Sequence, residues 1–255
     1  GVLDLCAHNG ALFAAMSGYN RVYRSLDGGA TWDYSSPVAE PISVYPAVSL
    51  LSYGGKLYCG HHGGNNDQRS IVSSSTDGVT WAEEFSISPY GSGDFYSLVH
   101  HAGYLYAVAV VSGAAKIYRA IPGSGTWTLV HSASGCSYWT SGWLVSFGGY
   151  LYCSLDASII RSADAGATWT TAANVSIGGR WAVHNGQLYT SRGKTISVSS
   201  DGVSWTTSRT SSQTSVYGML SFGGSLYAGT GDSGYVEIGA DATYVPARGV
   251  KSFGD

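Results

Sequence analysis

Charged residues make up only 11% of this chain, less than half of the roughly 25% usual in soluble globular proteins. The thirteen Lys and Arg are scattered singly and the formal net charge is −3. No basic stripe therefore exists to follow a phosphate backbone, which argues against nucleic acid as a partner. No apolar run reaches the ~18 to 20 residues that cross a bilayer as a helix, and no charged-then-apolar leader opens the chain. The first residue is Gly rather than Met, so the chain is expected to be a processed or excised piece of something longer. Cysteine is sparse: Cys6, Cys59, Cys136 and Cys153 form no C-x-x-C pair and no ligand-like spacing with His. Neither a metal site nor a cofactor is expected from them.

What the chain has instead is glycine, 36 residues, and tyrosine, 19. A polar surface built from Ser, Thr, Gly, Asn and Tyr suits an extracellular or virion-surface β protein. The organisation comes from internal repetition. A G-x-L-Y element, or a close variant, begins at Gly10, Gly55, Gly103, Gly149, Gly186 and Gly224, at spacings of 45, 48, 46, 37 and 38 residues. Upstream of each copy lies a mostly apolar strand that ends in hairpin chemistry such as Gly54-Gly55 or Asn185-Gly186. Downstream lie a second strand, a variable loop, a third strand, a tight turn and a fourth strand. Cys59 and Cys153 follow L-Y in their copies, where others carry Ala or Thr, and read as small buried residues.

The tight turn carries its own pattern, S-x-D-x-G-x-T-W. Its clear copies are Ser25 to Trp32, Ser75 to Trp81, Ser162 to Trp169 and Ser199 to Trp205. The third repeat has lost the acid (Arg119 to Trp127), and the sixth has a worn copy from Gly239 to Tyr244 that contains Asp241. A carboxylate at a hairpin tip accepts hydrogen bonds from the turn's own N–H groups and hydroxyls, while glycine supplies positive φ. The Trp is expected to pack under the turn and fasten strand three to strand four. These aspartates therefore read as structural.

The S-x-D-x-G-x-T-W copies resemble the Asp-box, or BNR, repeats of the sialidase-like β-propeller superfamily. The resemblance implies an all-β, six-bladed propeller of four-stranded antiparallel blades. One domain is expected over 1–255, with blades roughly 1–40, 41–90, 91–135, 136–176, 177–212 and 213–255. In such a meander the S-x-D turns and the first hairpins share one face. The crossovers and the loops from strand two to strand three share the other, where the superfamily binds ligands near the axis.

The long irregular segments fall on that second face and supply the candidate binding residues Tyr45, Asp94, Trp139, Arg180, Arg209 and Tyr217. Aromatic rings stack on sugar C–H faces and polar tips bond to hydroxyls, so a glycan or surface polysaccharide is the expected partner. No catalytic residue is assigned. A sialidase needs three Arg, a Tyr nucleophile with a Glu, and an acid/base Asp. Here Arg24, Arg119 and Arg161 precede the turn position as repeat consensus, and Arg180, Arg192 and Arg209 all come from blade five and its crossover to blade six, whereas a triad is expected from separated blades. Of the four Glu, only Glu40 lies in a ligand-face loop. An ordinary glycosidase would need two close carboxylates, for which Asp94 and Asp156 are the leading pair. His8, His101 and His184 share a repeat slot with Tyr53, Phe147 and Phe222 and read as packing residues, whereas His61 and His62 fall on the ligand face. The expected function is a non-catalytic glycan-recognising or adhesion propeller, of the kind carried by phage tails and cell-surface proteins. The alternatives are a glycoside hydrolase and a protein-binding scaffold.

Overall fold

The structure is a computed structural model that describes residues 2–16, 20–37, 47–61, 70–87, 95–137, 142–175, 179–211, 215–222, 225–230 and 236–238. Each repeat folds as one antiparallel meander. Blade one is β1 (Val2–His8), β2 (Ala11–Met16), β3 (Val22–Ser25) and β4 (Asp33–Ser35). Blade two is β5 (Ala47–Tyr53), β6 (Lys56–His61), β7 (Ser70–Ser75) and β8 (Ala82–Ile87). Blade three is β9 (Phe95–His101), β10 (Tyr104–Val111), β11 (Ala114–Ala120) and β12 (Trp127–Ser134). Blade four is β13 (Leu144–Phe147), β14 (Tyr150–Ser154), β15 (Ile159–Ser162) and β16 (Thr170–Ala173). Blade five is β17 (Trp181–His184), β18 (Gln187–Arg192), β19 (Thr195–Ser199) and β20 (Thr206–Thr210).

The expectation of six four-stranded blades is corrected here: the propeller has five. Among the described residues the sixth repeat forms a three-stranded sheet, β21 (Val216–Phe222), β22 (Ser225–Thr230) and β23 (Val236–Ile238). Its sequence supplies the reason. The worn copy after β23 lacks both the serine and the tryptophan that tie a third strand to a fourth in the clear copies.

The S-x-D turns are closed by their own side chains. Asp27 accepts the Ser25 hydroxyl at 2.8 Å, the Thr31 N–H at 2.9 Å and the Thr31 hydroxyl at 2.6 Å, while Ser25 Oγ accepts the Gly29 N–H at 2.7 Å. Asp164 repeats this with Ser162 and Thr168. Asp77 and Asp201 belong to turns one residue shorter and accept two consecutive N–H groups instead, from Val79 and Thr80 and from Val203 and Ser204. Turn length also redirects the indole. In the longer turns Trp32 and Trp169 donate to the carbonyls of Gly29 and Gly166 within the turn. In the shorter turn of blade two, Trp81 instead reaches Ser35 Oγ on the outer strand of blade one, at 2.9 Å.

Three of the turns are also the seat for a ring from the preceding blade. The aromatic of the L-Y pair on the second strand packs against the glycine of the next blade's turn: Phe13 on Gly78, Tyr106 on Gly166 and Tyr152 on Gly202. These rings are at most 1% exposed. Tyr106 donates its hydroxyl to the Ala165 carbonyl at 2.6 Å, and Tyr152 donates to the Asp201 carbonyl at 3.0 Å. Nearer the axis, on the same face, His8, His101 and His184 bond through Nδ1 to Ser52, Ser146 and Ser221 of the following blade at 2.8 to 2.9 Å. Between blades two and three the slot is filled by Tyr53 stacked on His100, with centroids 3.7 Å apart. Histidine in this slot is thus an inter-blade clasp. All four cysteines are free, and Cys59 and Cys153 are fully buried on second strands, where burial pushes their thiol pKa up.

Two measurements test this scheme. A Cβ on Gly202 would stand 2.4 Å from the Tyr152 ring, whereas one on Gly10, which also has positive φ, meets nothing within 4 Å. Gly10→Ala should therefore cost about 1 to 2 kcal/mol of backbone strain, and Gly202→Ala about 1 to 3 kcal/mol more from overpacking. Equal losses in urea titrations would remove the ring-on-glycine joint as the cause. The second measurement concerns acid. Hydrogen bonds hold the carboxyls of Asp77, Asp164 and Asp201 at about 2, below the ordinary 3.8, and push Asp27 down as well. A depressed folded pKa adds stability that is present above the unfolded value and is lost as pH falls from about 4 toward about 2. The urea midpoint should drop through that window, and less steeply in the Asp77→Asn, Asp201→Asn double variant. Parallel curves for the two proteins would show that these turns do not carry the acid sensitivity.

Candidate functional site at the crossover end of the axis

The end of the axis opposite the S-x-D turns is built from one register position of the inner strands. Across the first hairpin of each repeat, the position paired with the third residue after the G-x-L-Y leucine is Asp4, Ser49, Ser97 and Gly218 in repeats one, two, three and six. The same register places Trp143 opposite Ser154 in repeat four and Arg180, just before β17, in repeat five. Successive members tie their blade to the next. Asp4 Oδ2 accepts the Leu50 N–H at 2.8 Å, Ser49 Oγ donates to the Phe95 carbonyl at 3.4 Å, Ser97 Oγ accepts the Leu144 N–H at 3.2 Å, and the Trp143 carbonyl accepts the Trp181 indole N–H at 3.0 Å.

Arg180 departs from that pattern because its successor position is Gly218, which has no side chain. Its guanidinium lies over the Trp143 ring, 4.4 Å from the centroid, and Nη1 is 3.7 Å from Asp4 Oδ1. That separation is an ion pair but not a hydrogen bond, and Arg180 makes no hydrogen bond to a described residue. The side chains of Arg180 and Asp4 are 15% and 27% exposed, so the pair is mostly enclosed but each member keeps some accessible surface. Burial raises the Asp4 carboxyl from its ordinary pKa, opposed by Arg180 and by the N–H groups of Leu50 and Leu5. Burial likewise lowers the Arg180 guanidinium, opposed by Asp4. The result is a pair without net charge, a guanidinium beside a carboxylate, in surroundings where an electrostatic interaction outweighs its value in water.

The residues expected from sequence fall differently. Arg180 is at the axial site. Arg209 stands on β20, the outer strand of blade five, paired with Ile196 and far across the sheet from Arg180. Tyr217 lies in β21, the inner strand of the sixth repeat. Tyr45, Asp94 and Trp139 lie outside the described residues, as do His62 and Glu40. Asp156 accepts the Ser137 hydroxyl, and its carbonyl accepts from Arg192. His61 is fully buried against Ser73 at 2.7 Å rather than presented to a ligand. Glu83 and Glu84 sit on the outer strand β8, and Glu84 is held by Lys56 and Ser74. Asp4 and Trp143 were not among the expected residues. Asp4 carried a signal, since it is the only acid on the six inner strands, within the apolar run Val2-Leu3-Asp4-Leu5-Cys6.

No family model matches the chain, and no curated relative matches it. Solved structures do. YCF48 bound to D1 peptide superposes with a TM-score of 0.65 at 16% identity, over 97% of this chain and 82% of that one. A putative 6-phosphogluconolactonase from Bacteroides fragilis gives 0.66 at 12%, over 95% and 82%. A chain of a nidogen/laminin complex gives 0.63 at 13%, over 89% and 88%. The chain has a β-propeller fold. At these identities the likeness is one of fold alone.

The backbone that delivers Arg180 is tightly set. A Cβ on Gly179 would stand 2.0 Å from the Ser191 carbonyl oxygen of the neighbouring strand. Gly179→Ala should therefore push the Arg180 segment away from β18 and lift the guanidinium off Trp143. The near-ultraviolet circular dichroism of the tryptophans should change while the far-ultraviolet β signal is kept, and an unaltered tryptophan signal would contradict the placement of Arg180.

Proposed function

We propose that this chain is a non-catalytic binding propeller that takes a peptide segment of a protein partner at the crossover end of its axis. The observation that carries the reading is the Arg180–Asp4 pair, 3.7 Å apart, with the guanidinium making no hydrogen bond among the described residues. A donor set and an acceptor side by side, with no net charge, complement a group that itself carries an acceptor next to a donor. A peptide amide is such a group. An anionic sugar suits the pair less well, because Asp4 would repel its carboxylate.

A neutral glycan needs an open ring to stack on, and Trp143 is 9% exposed with one face under Arg180. The protein-binding alternative therefore stands ahead of the glycan reading. Two similar folds, one titled as bound to D1 peptide and one as part of a nidogen/laminin complex, lend it analogy. Kinship with the Asp-box propellers is supported by the four closed S-x-D turns and remains part of this proposal. An extracellular or virion-surface setting is proposed on the low charge.

The test is an array of random peptides and a glycan array, both probed with the wild type and with Arg180→Ala. Peptide hits are expected, with affinity at least about tenfold lower in the variant, or about 1.4 kcal/mol. The same hits should persist when peptide C-termini are amidated, since the pair reads an amide rather than a terminal charge. Glycan hits without peptide hits, or peptide binding indifferent to Arg180, would overturn the reading.

A further inference from the structure

A second arginine is left open on the opposite face. Arg24, Arg119 and Arg161 occupy one repeat position, immediately before the turn serine or its counterpart in the third repeat. Two of them are engaged. Arg24 forms a forked pair with Asp33, 2.7 and 3.3 Å, and donates to the Asp77 carbonyl. Arg119 stacks on Tyr104 and donates to the Ala165 carbonyl of blade four's turn at 2.6 Å. Arg161 stacks on Tyr150 in the same way, 4.4 Å from the centroid, and donates a hydrogen bond to the Tyr152 hydroxyl oxygen. It has no acid partner and reaches no backbone carbonyl among the described residues.

Two local differences explain why. The cross-strand partner of Arg24 is Asp33, whereas that of Arg161 is Thr170, so the acid is missing. The turn of blade five is also one residue shorter than that of blade four, and its Asp201 carbonyl accepts from Tyr152 rather than from the arginine. The guanidinium therefore opens onto a surface cleft of about 510 Å³ between blades four and five, whose walls include Phe147, Tyr150, Tyr152 and Ser200. Asp201 also borders the cleft, but its Oδ1 is turned into its own turn, accepting from Ser199, Val203 and Ser204.

We propose that this cleft is a carboxylate-binding site in which Arg161 grips the anion and Phe147 and Tyr150 hold a flat apolar body beside it. The ligand class is an aryl carboxylate, either a free small molecule or an acidic side chain next to an aromatic one in a peptide. A planar guanidinium already fixed on a ring loses little freedom when it pairs with a carboxylate in fork geometry. The site is distinct from the axial pair and does not depend on the peptide reading given above.

The probes are phenylacetate, its uncharged analogue phenylacetamide, and the blocked dipeptide acetyl-Phe-Glu-amide, followed by amide NMR shifts of Gly148, Gly186 and Ser200. Phenylacetate should shift these three signals selectively, with phenylacetamide about tenfold weaker, as loss of a charge-assisted pair implies. A dipeptide stronger than phenylacetate would assign the cleft to acidic peptides, and the reverse order to small metabolites. Arg161→Gln should abolish the shifts. Thr170→Asp should abolish them too while keeping the arginine, by recreating the Arg24–Asp33 arrangement in blade four, which guards against a variant that merely misfolds. Absence of selective shifts with the wild type, or shifts unchanged in Thr170→Asp, would overturn the proposal.

Discussion

A ring from one blade resting on a glycine of the next blade's turn is the contact on which the rest of this propeller depends. A blade is a hydrogen-bonded sheet in itself, and its strands reach the next blade through only a few hydrogen bonds near the axis. The turn glycine sets where the next blade stands. It is needed twice, once for positive φ and once because a side chain would collide with the incoming ring, as at Gly78 under Phe13 and Gly202 under Tyr152. The carboxylate of the same turn holds the glycine in place through its hydrogen bonds to the turn's hydroxyls and N–H groups. The Asp of the turn thus acts at one remove, by keeping rigid the surface on which the preceding blade lands. Dispersion contacts of this kind are individually small and collectively large, and the repetition of the motif multiplies them around the disc.

The axial end follows a different logic. The same register position that bears Ser49 and Ser97 in two repeats bears Asp4, Trp143, Arg180 and Gly218 in the others. Where the residue is serine, its hydroxyl simply sews one inner strand to the next. Where it is Arg180, the long side chain lies over Trp143 and comes within 3.7 Å of Asp4. The pair is too far apart to satisfy itself by hydrogen bonding and too enclosed to be screened like a surface pair. Such an arrangement adds little to stability, since burying two charges offsets most of their attraction, which is why its natural reading is recognition.

Much of the fold was legible because the signals are local. The run Ala47 to Tyr53, the Gly54-Gly55 turn and the strand from Lys56 are visible as alternation bounded by hairpin chemistry, and the structure places strands there. The S-x-D aspartates could be read as structural from their recurrence alone. What the sequence did not disclose depends on distances through space. One residue of turn length sends Trp81 to Ser35 of another blade while Trp32 closes its own turn. In blade five the equally short turn leaves the Trp205 indole N–H without an acceptor, since blade four has Ala173 where blade one has Ser35. The sixth repeat counted as a blade by periodicity, yet among the described residues its sheet has three strands, and its S-x-D copy lacks the serine and tryptophan of the clear ones. In the candidate site Arg180 was picked out by its loop, but Asp4 and Trp143 emerge only when the inner strands are aligned by register.

These observations separate two roles that the repeat plays at once. Positions that touch the neighbouring blade's turn are constrained alike in the four clear copies, so they recur there: aromatic ring, glycine, aspartate, serine. Positions that face the axis or the groove between blades are constrained only by volume and by the neighbour at the same height, so they drift from copy to copy. Arg24, Arg119 and Arg161 show the drift in progress, since one residue type at one position pairs with an acid in the first blade, donates to a backbone carbonyl in the third, and in the fourth has neither among the described residues. In a repeat protein of this kind the residues that differ among otherwise equivalent positions are the ones able to carry recognition. By that criterion Arg180 with Asp4 at one end of the disc, and Arg161 at the other, stand out from the positions they share with serines and engaged arginines.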